Sequence, residues 1–183
     1  MTLQSVIPAL SLAGSIGFLL PMTMALALVL LLRGFALLAL QWLGCLGLTI
    51  VLTLGVKAIS AGSASLPYFP SGHVALAVAF FCGLALLLAP PAAARLVVPP
   101  VAVVAGGLVG LSRVLITDHT VADVLGGILA GLGPLLLLGR PLRQARPDPT
   151  TSQALLLVTL GFAPLAKLVH DSIDAPIRQL LAF

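Results

Sequence analysis

Charge is what this chain has least of. Only 8% of its 183 residues are Asp, Glu, Lys or Arg, against roughly a quarter in soluble domains, while 60% are hydrophobic and the mean hydropathy is +1.22. That balance excludes the soluble class and indicates an integral membrane protein. Glu is absent, and the acidic and imidazole inventory is five Asp and three His. A two-metal hydrolase needs a cluster of carboxylates, and only Asp118 and Asp123 lie near a His in the polar loops, so no metal or other cofactor is expected. The two cysteines, Cys45 and Cys82, sit inside apolar runs with no Cys or His at ligand spacing and read as small core residues. No basic start precedes the first apolar stretch, which is too long for an h-region, so a cleavable signal peptide is not expected. Internal repeats are absent.

What is present is a succession of apolar stretches at 3–32, 35–56, 74–94, 96–112, 124–139 and 153–166. A span takes about 17 to 25 residues, so these predict an all-α, polytopic transmembrane bundle of five or six helices. No soluble stretch is long enough for a second domain, and residues 1–183 form one unit. The first stretch contains Pro8, Gly14, Gly17 and Pro21, which suits either one kinked helix or a short interfacial piece followed by a span.

Basic residues are unevenly shared between the connections. With alternating helices, Arg33, Arg95, Arg140, Arg143 and Arg146 fall on one side, and Lys57, Arg113, Lys167 and Arg178 on or near the other. The positive-inside rule makes the first side cytoplasmic and puts the loops "PYFPSGH" and "SRVLITDH" together on the outer face. The segment 139–151 then reads as a cytoplasmic linker whose prolines prevent helix continuation. The pI near 9.8 reflects these topology anchors and lipid contact, not a nucleic-acid patch.

Those two loops hold most of the chain's chemistry. His119 and Asp123 are four apart, a spacing that puts them on one helix face, where the carboxylate holds one ring nitrogen and leaves the other to attack or to abstract a proton. In "PSGH", Pro70 keeps the preceding residue extended, Ser71 is placed to cap the following helix, Gly72 permits close backbone approach, and His73 stands at a helix N-terminus. Such an end attracts a phosphate or similar anion, with Arg113 and Lys57 as cationic clamps. Singly, each feature also fits a cap, a satisfied polar pair or a membrane-interface anchor; together, ionisable groups at the ends of apolar helices mark a functional site.

The residues resemble the type-2 phosphatidic acid phosphatase superfamily, the membrane lipid phosphate phosphatases that share their site with vanadium haloperoxidases. Its P-S-G-H signature is matched by Pro70, Ser71, Gly72 and His73. Its S-R, five residues, H, three residues, D signature is matched by Ser112, Arg113, His119 and Asp123. The first signature, Lys followed six residues later by Arg-Pro, is broken: from Lys57 the corresponding pair is Ala64 and Ser65, with Ser60, Ser63 and Ser65 as neutral donors nearby. Asp118, beside His119, would raise its pKa and repel phosphate. The resemblance covers about residues 57–138.

It implies a phosphohistidine on His119, oriented by Asp123, and proton transfer by His73. Lys57, Ser71, Gly72 and Arg113 would bind the phosphate. The implied partner is a lipid phosphate or diphosphate in the bilayer, with undecaprenyl diphosphate, phosphatidylglycerophosphate, phosphatidic acid and phosphorylated lipid A all open. Lipid-to-lipid phosphate transfer, or a catalytically idle lipid-binding or scaffolding relative, are the alternatives.

Overall fold

The computed structural model describes residues 10–60, 69–90, 92–116, 119–144 and 147–162, together with Ile7 and Pro164. Among them are seven helices and no strand: α1 (Ile16–Leu32), α2 (Ala36–Ser60), α3 (Gly72–Leu88), α4 (Ala94–Ile116), α5 (Val121–Leu138), α6 (Arg140–Gln144) and α7 (Pro149–Phe162).

Among the described residues, three helices are long and apolar enough to cross a membrane: α2, α5 and the part of α4 from Leu96 to Ile116. The apolar α1 and α3 have 17 residues each, about 26 Å of rise, which is the short end of the range for a span. The architecture fits the expected helical membrane bundle, with three helices among the described residues meeting the full length criterion.

Local chemistry sets the helix boundaries. The first apolar stretch is broken at a turn over Ala13 and Gly14, and α1 starts afresh with Ser15 as N-cap, its side chain accepting from the Phe18 N–H at 3.3 Å. The second of the two readings of that stretch, a short piece before a longer helix, is the one adopted. Pro21 lies inside α1 without ending it. Gly34, at φ +82°, takes the left-handed conformation that lets the chain leave α1 and enter α2. The segment 139–151 differs from the expected linker. It holds α6 and the first turn of α7, because Asp148 caps the end where Pro149 sits at the first helical position. There proline starts a helix instead of stopping one.

The central helix is α3, packed against α2, α4 and α5. It is apolar all round, and only a helix with neighbours on every side can bury such a surface. Val74, Val78, Phe80, Leu86 and Leu87 are almost fully buried. Trp42 on α2 meets Phe80 edge to face at 5.2 Å and donates from Nε1 to the Thr23 carbonyl at 3.2 Å, tying α1, α2 and α3 together. Cys45 and Cys82 are buried and unbridged, as expected. Outward-facing Leu40, Leu54, Val103, Leu111, Leu129 and Leu136 stay exposed, a surface that suits lipid.

Glycines on α5 bring α3 close. A methyl group on Gly127 would lie 2.7 Å from the Ser71 carbonyl oxygen, and one on Gly131 would lie 2.5 Å from that of Ala75. Small residues at these two positions let backbone meet backbone where a side chain would hold the helices apart.

The Ser71 N–H to Asp123 carbonyl bond and the electrostatic reach of Lys57 and Arg113 place the ends of α2 and α4 near the starts of α3 and α5. At the other end of α2, Arg33 donates from Nη1 to Thr150 Oγ1 at 3.1 Å, bringing the end of α1 to the start of α7. Arg146, Lys167 and Arg178 lie outside the described residues.

Candidate active site

The site is built where α5 begins. Thr120 is the N-cap and Asp123 the third helical residue, and the two form a reciprocal capping box. Thr120 Oγ1 accepts from the Asp123 N–H at 3.3 Å, and Asp123 Oδ2 accepts from the Thr120 N–H at 2.7 Å and its hydroxyl at 3.1 Å. The same Oδ2 lies 3.4 Å from His119 Nδ1. His119 thus precedes the helix and does not share its face, which corrects the helical reading of the spacing. The pair still forms, because an acidic side chain at the third position folds back over the helix start, where His119 sits.

Asp123 is 2% exposed, and the His119 side chain 9%. Burial holds the imidazole below its ordinary pKa of 6.5; the positive charge of Arg113 adds to this and that of Lys57 adds less, against the opposing hydrogen bond and charge of Asp123. The shift favours the neutral ring, and Nδ1 is the ring nitrogen turned to the carboxylate.

Arg113 comes from the last turn of α4 and Lys57 from the last turn of α2. Lys57 is within electrostatic reach of Arg113 and Asp123, so both cations and the His/Asp pair share one neighbourhood. Arg113 Nη1 also donates to Ser11 Oγ at 3.1 Å. Ser112, next to Arg113 in the motif, is buried and donates to the Val109 carbonyl at 2.6 Å, a structural role.

The second motif loop joins the first through the main chain: the Ser71 N–H donates to the Asp123 carbonyl at 2.9 Å. Ser71 occupies the N-cap position of α3, but its side chain makes no capping hydrogen bond, contrary to expectation; its buried hydroxyl has no hydrogen-bond partner among the described residues. Its N–H is committed to the carbonyl, so only the hydroxyl is left for a ligand. Gly72 opens α3, where the helix leaves its first N–H groups unused. His73 follows, partly buried, with its carbonyl backed against Gly14. The Phe69–Pro70 peptide is cis.

Ser60, one of the neutral donors near the broken signature, gives its hydroxyl to the Phe69 carbonyl at 2.7 Å and so anchors the loop. Ser63, Ala64, Ser65 and Asp118 lie outside the described residues. Among the described residues, no three of His, Cys, Asp and Glu gather to hold a metal ion.

Three neighbours of the site were not singled out from the sequence. Thr120 was legible, since T-x-x-D before an apolar run is a capping-box pattern. Thr53 sits one turn before Lys57 on α2, with its methyl 3.7 Å from the position a Cβ on Gly72 would take; its buried hydroxyl has no hydrogen-bond partner among the described residues. Ser11 lies 102 positions from Arg113, and no local pattern announces the contact.

A family model for the PAP2 superfamily matches residues 51–144. No curated protein matches the chain, and no solved structure does.

Proposed function

The chain belongs to the PAP2 superfamily, and from that premise we propose that it hydrolyses a lipid phosphate or lipid diphosphate through a phosphohistidine, without a metal ion. The observation that carries this reading is the joining of the two motif loops. Through Ser71 N–H and the Asp123 carbonyl, the start of α3 is held beside a carboxylate-oriented His119 whose neutral form is favoured, with Arg113 and Lys57 nearby.

In the first step, His119 Nε2 bonds to phosphorus as the bond to the leaving oxygen breaks, and His73, protonated, gives that oxygen its proton. In the second, water attacks the phosphohistidine, His73 takes the water proton, the N–P bond breaks and inorganic phosphate departs. Arg113, Lys57, the Ser71 hydroxyl and the Gly72 N–H hold the three equatorial oxygens as charge builds on them. Asp123 fixes the tautomer and stabilises the imidazolium character that develops on His119.

The reading places five or six crossings in a bacterial inner membrane, with α1 and α3 as thin spans beside α2, α4 and α5. The motif loops face outward and the basic loops inward. The headgroup meets the site at the outer surface while the hydrocarbon stays in the bilayer.

The direct test measures inorganic phosphate released by purified protein from a panel of lipid phosphates and diphosphates, with chelator present. Turnover with an acid-labile phosphoenzyme is the expected result. Loss of activity in chelator with recovery in magnesium would count against the site chemistry. Label passing to an added acceptor lipid would make the protein a transferase, and no turnover on any lipid would make it an idle relative. For the membrane face, single cysteines at Ser63 and Gln144 in a Cys45→Ala, Cys82→Ala background should react with an impermeant thiol reagent on intact cells at 63 only. The inverse pattern would reverse the orientation.

A further inference from the structure

Residues 10–14 precede the part of the chain that matches the family, yet they touch its site at two points. Ser11 Oγ accepts a hydrogen bond from Arg113 Nη1, and Gly14 lies so close to the His73 carbonyl that a methyl group on it would stand 2.6 Å from that oxygen. The same short piece forms one wall of a groove of about 410 Å³ on the flank of the bundle. Leu10 and Ala13 line it from this side; Pro100, Val104, Ala105 and Val109 line it from α4.

The groove has a direction. Val109 and Arg113 lie four residues apart on α4, so the groove's upper end is about 6 Å of helix rise, roughly one turn, from the residue that carries the guanidinium. From there the lining continues along α4 to Pro100, about 20 Å along the axis from Arg113. The groove walls are apolar, and the cation of Arg113 lies one helical turn beyond the upper end. A molecule with an anionic head at Arg113 and a hydrocarbon chain matches that profile along its length.

We infer that residues 10–14 are a substrate-selecting element: Ser11 is a positioning residue that aims Arg113 at the phosphate, and the groove closed by Leu10 and Ala13 takes the substrate's hydrocarbon chain. This rests on the lipid phosphate reading of the site and adds where the chain lies and what holds the arginine. A guanidinium on a long flexible stem loses less rotamer freedom on binding when a neighbour already holds it.

The test uses the full-length protein in nanodiscs of neutral phosphatidylcholine, and measures binding of hexadecyl phosphate and butyl phosphate, so that turnover is not needed. Val104→Phe, and Ala13→Phe on the opposite wall, fill the groove. Each should lower the ratio of hexadecyl to butyl affinity by about tenfold, the value of about two buried methylenes. Ser11→Ala should weaken both ligands by a similar factor, up to about tenfold, leaving the ratio as in the wild type, and Ser11→Thr should restore binding.

A ratio unmoved by both wall variants would mean that the groove holds only bulk lipid, and would overturn the chain assignment. Unchanged affinities in Ser11→Ala would overturn the positioning role. If the wild type hydrolyses no lipid phosphate while the ratio shifts as expected, the groove stands and the hydrolase reading falls. Hydrolysis with an unmoved ratio does the reverse.

Discussion

Two carboxylates of this chain do the same local job with opposite results. Asp123 at the start of α5 and Asp148 at the start of α7 each accept hydrogen bonds from a backbone N–H and a threonine hydroxyl at a helix N-terminus. Asp148 is fully exposed, and a link to a cation runs through Thr150 to Arg33. Asp123 is buried, and the oxygen that receives the capping bonds also faces His119. A capping carboxylate in water serves its helix and little else. The same group excluded from water, with an imidazole on its open side, becomes a device for orienting a base, because its charge is screened far less. On the proposed mechanism, burial and one neighbour separate a cap from a catalytic part.

The comparison breaks most sharply at the imidazole. His119→Ala should abolish phosphoenzyme labelling and lower turnover by roughly 10⁴-fold, leaving both caps in place. Full labelling in that variant would remove the distinction between the two ends.

Next comes the carboxylate itself. Asp123→Asn should cost about 10² to 10⁴ in kcat, whereas Asp148→Asn should leave kcat unchanged. The pH profile sharpens the contrast. His119 is held below 6.5, so the acid limb of kcat/KM should fall below that pH, as protonation removes the nucleophile. Because Asp123 opposes that depression, Asp123→Asn should move the limb to still lower pH. A limb at or above 6.5 in the wild type would contradict the buried, cation-flanked environment.

The threonines give a smaller effect. Thr120→Val removes the hydroxyl's part in the capping box and should cost about 1 kcal/mol in stability, with a measurable fall in kcat as the carboxylate loses a restraint. Thr150→Val should change neither turnover nor the pH profile.

Smallest is the exposed cap. Hydrogen bonds from the Thr150 hydroxyl and the Thr151 N–H hold Asp148 below its ordinary pKa of 3.8. The stabilisation is present above 3.8 and is lost as pH falls through the depressed folded value. Asp148→Asn should therefore flatten a small acid-side decline in the thermal midpoint; an unchanged decline would show that the cap contributes nothing.

Much of the candidate site was legible because its residues fall in two short loops and are chemically rare in an oily chain. His73, Arg113, His119 and Asp123 stand out against apolar surroundings, and the expected alternation of helices puts their loops on one side. The geometry of the His119/Asp123 pair was not legible, since four-residue spacing describes a helix face equally well and only the position of the cap separates the two. Prolines in 139–151 misled for a related reason: Pro147 and Pro149 flank Asp148, and the same residue types end one helix or start the next. Ser11 was invisible because its partner is set by how the bundle closes. Ser60 looked like a phosphate donor from its place near Lys57, whereas its hydroxyl is given to the Phe69 carbonyl.

The bond between the Ser71 N–H and the Asp123 carbonyl uses main-chain atoms at both ends. Every residue type except proline supplies the donor, and every residue type supplies the acceptor. The register of the two motif loops is thereby insulated from the identities of the side chains they carry. Side chains around the candidate site can be exchanged while the scaffold keeps presenting whatever replaces them at the same mutual distance.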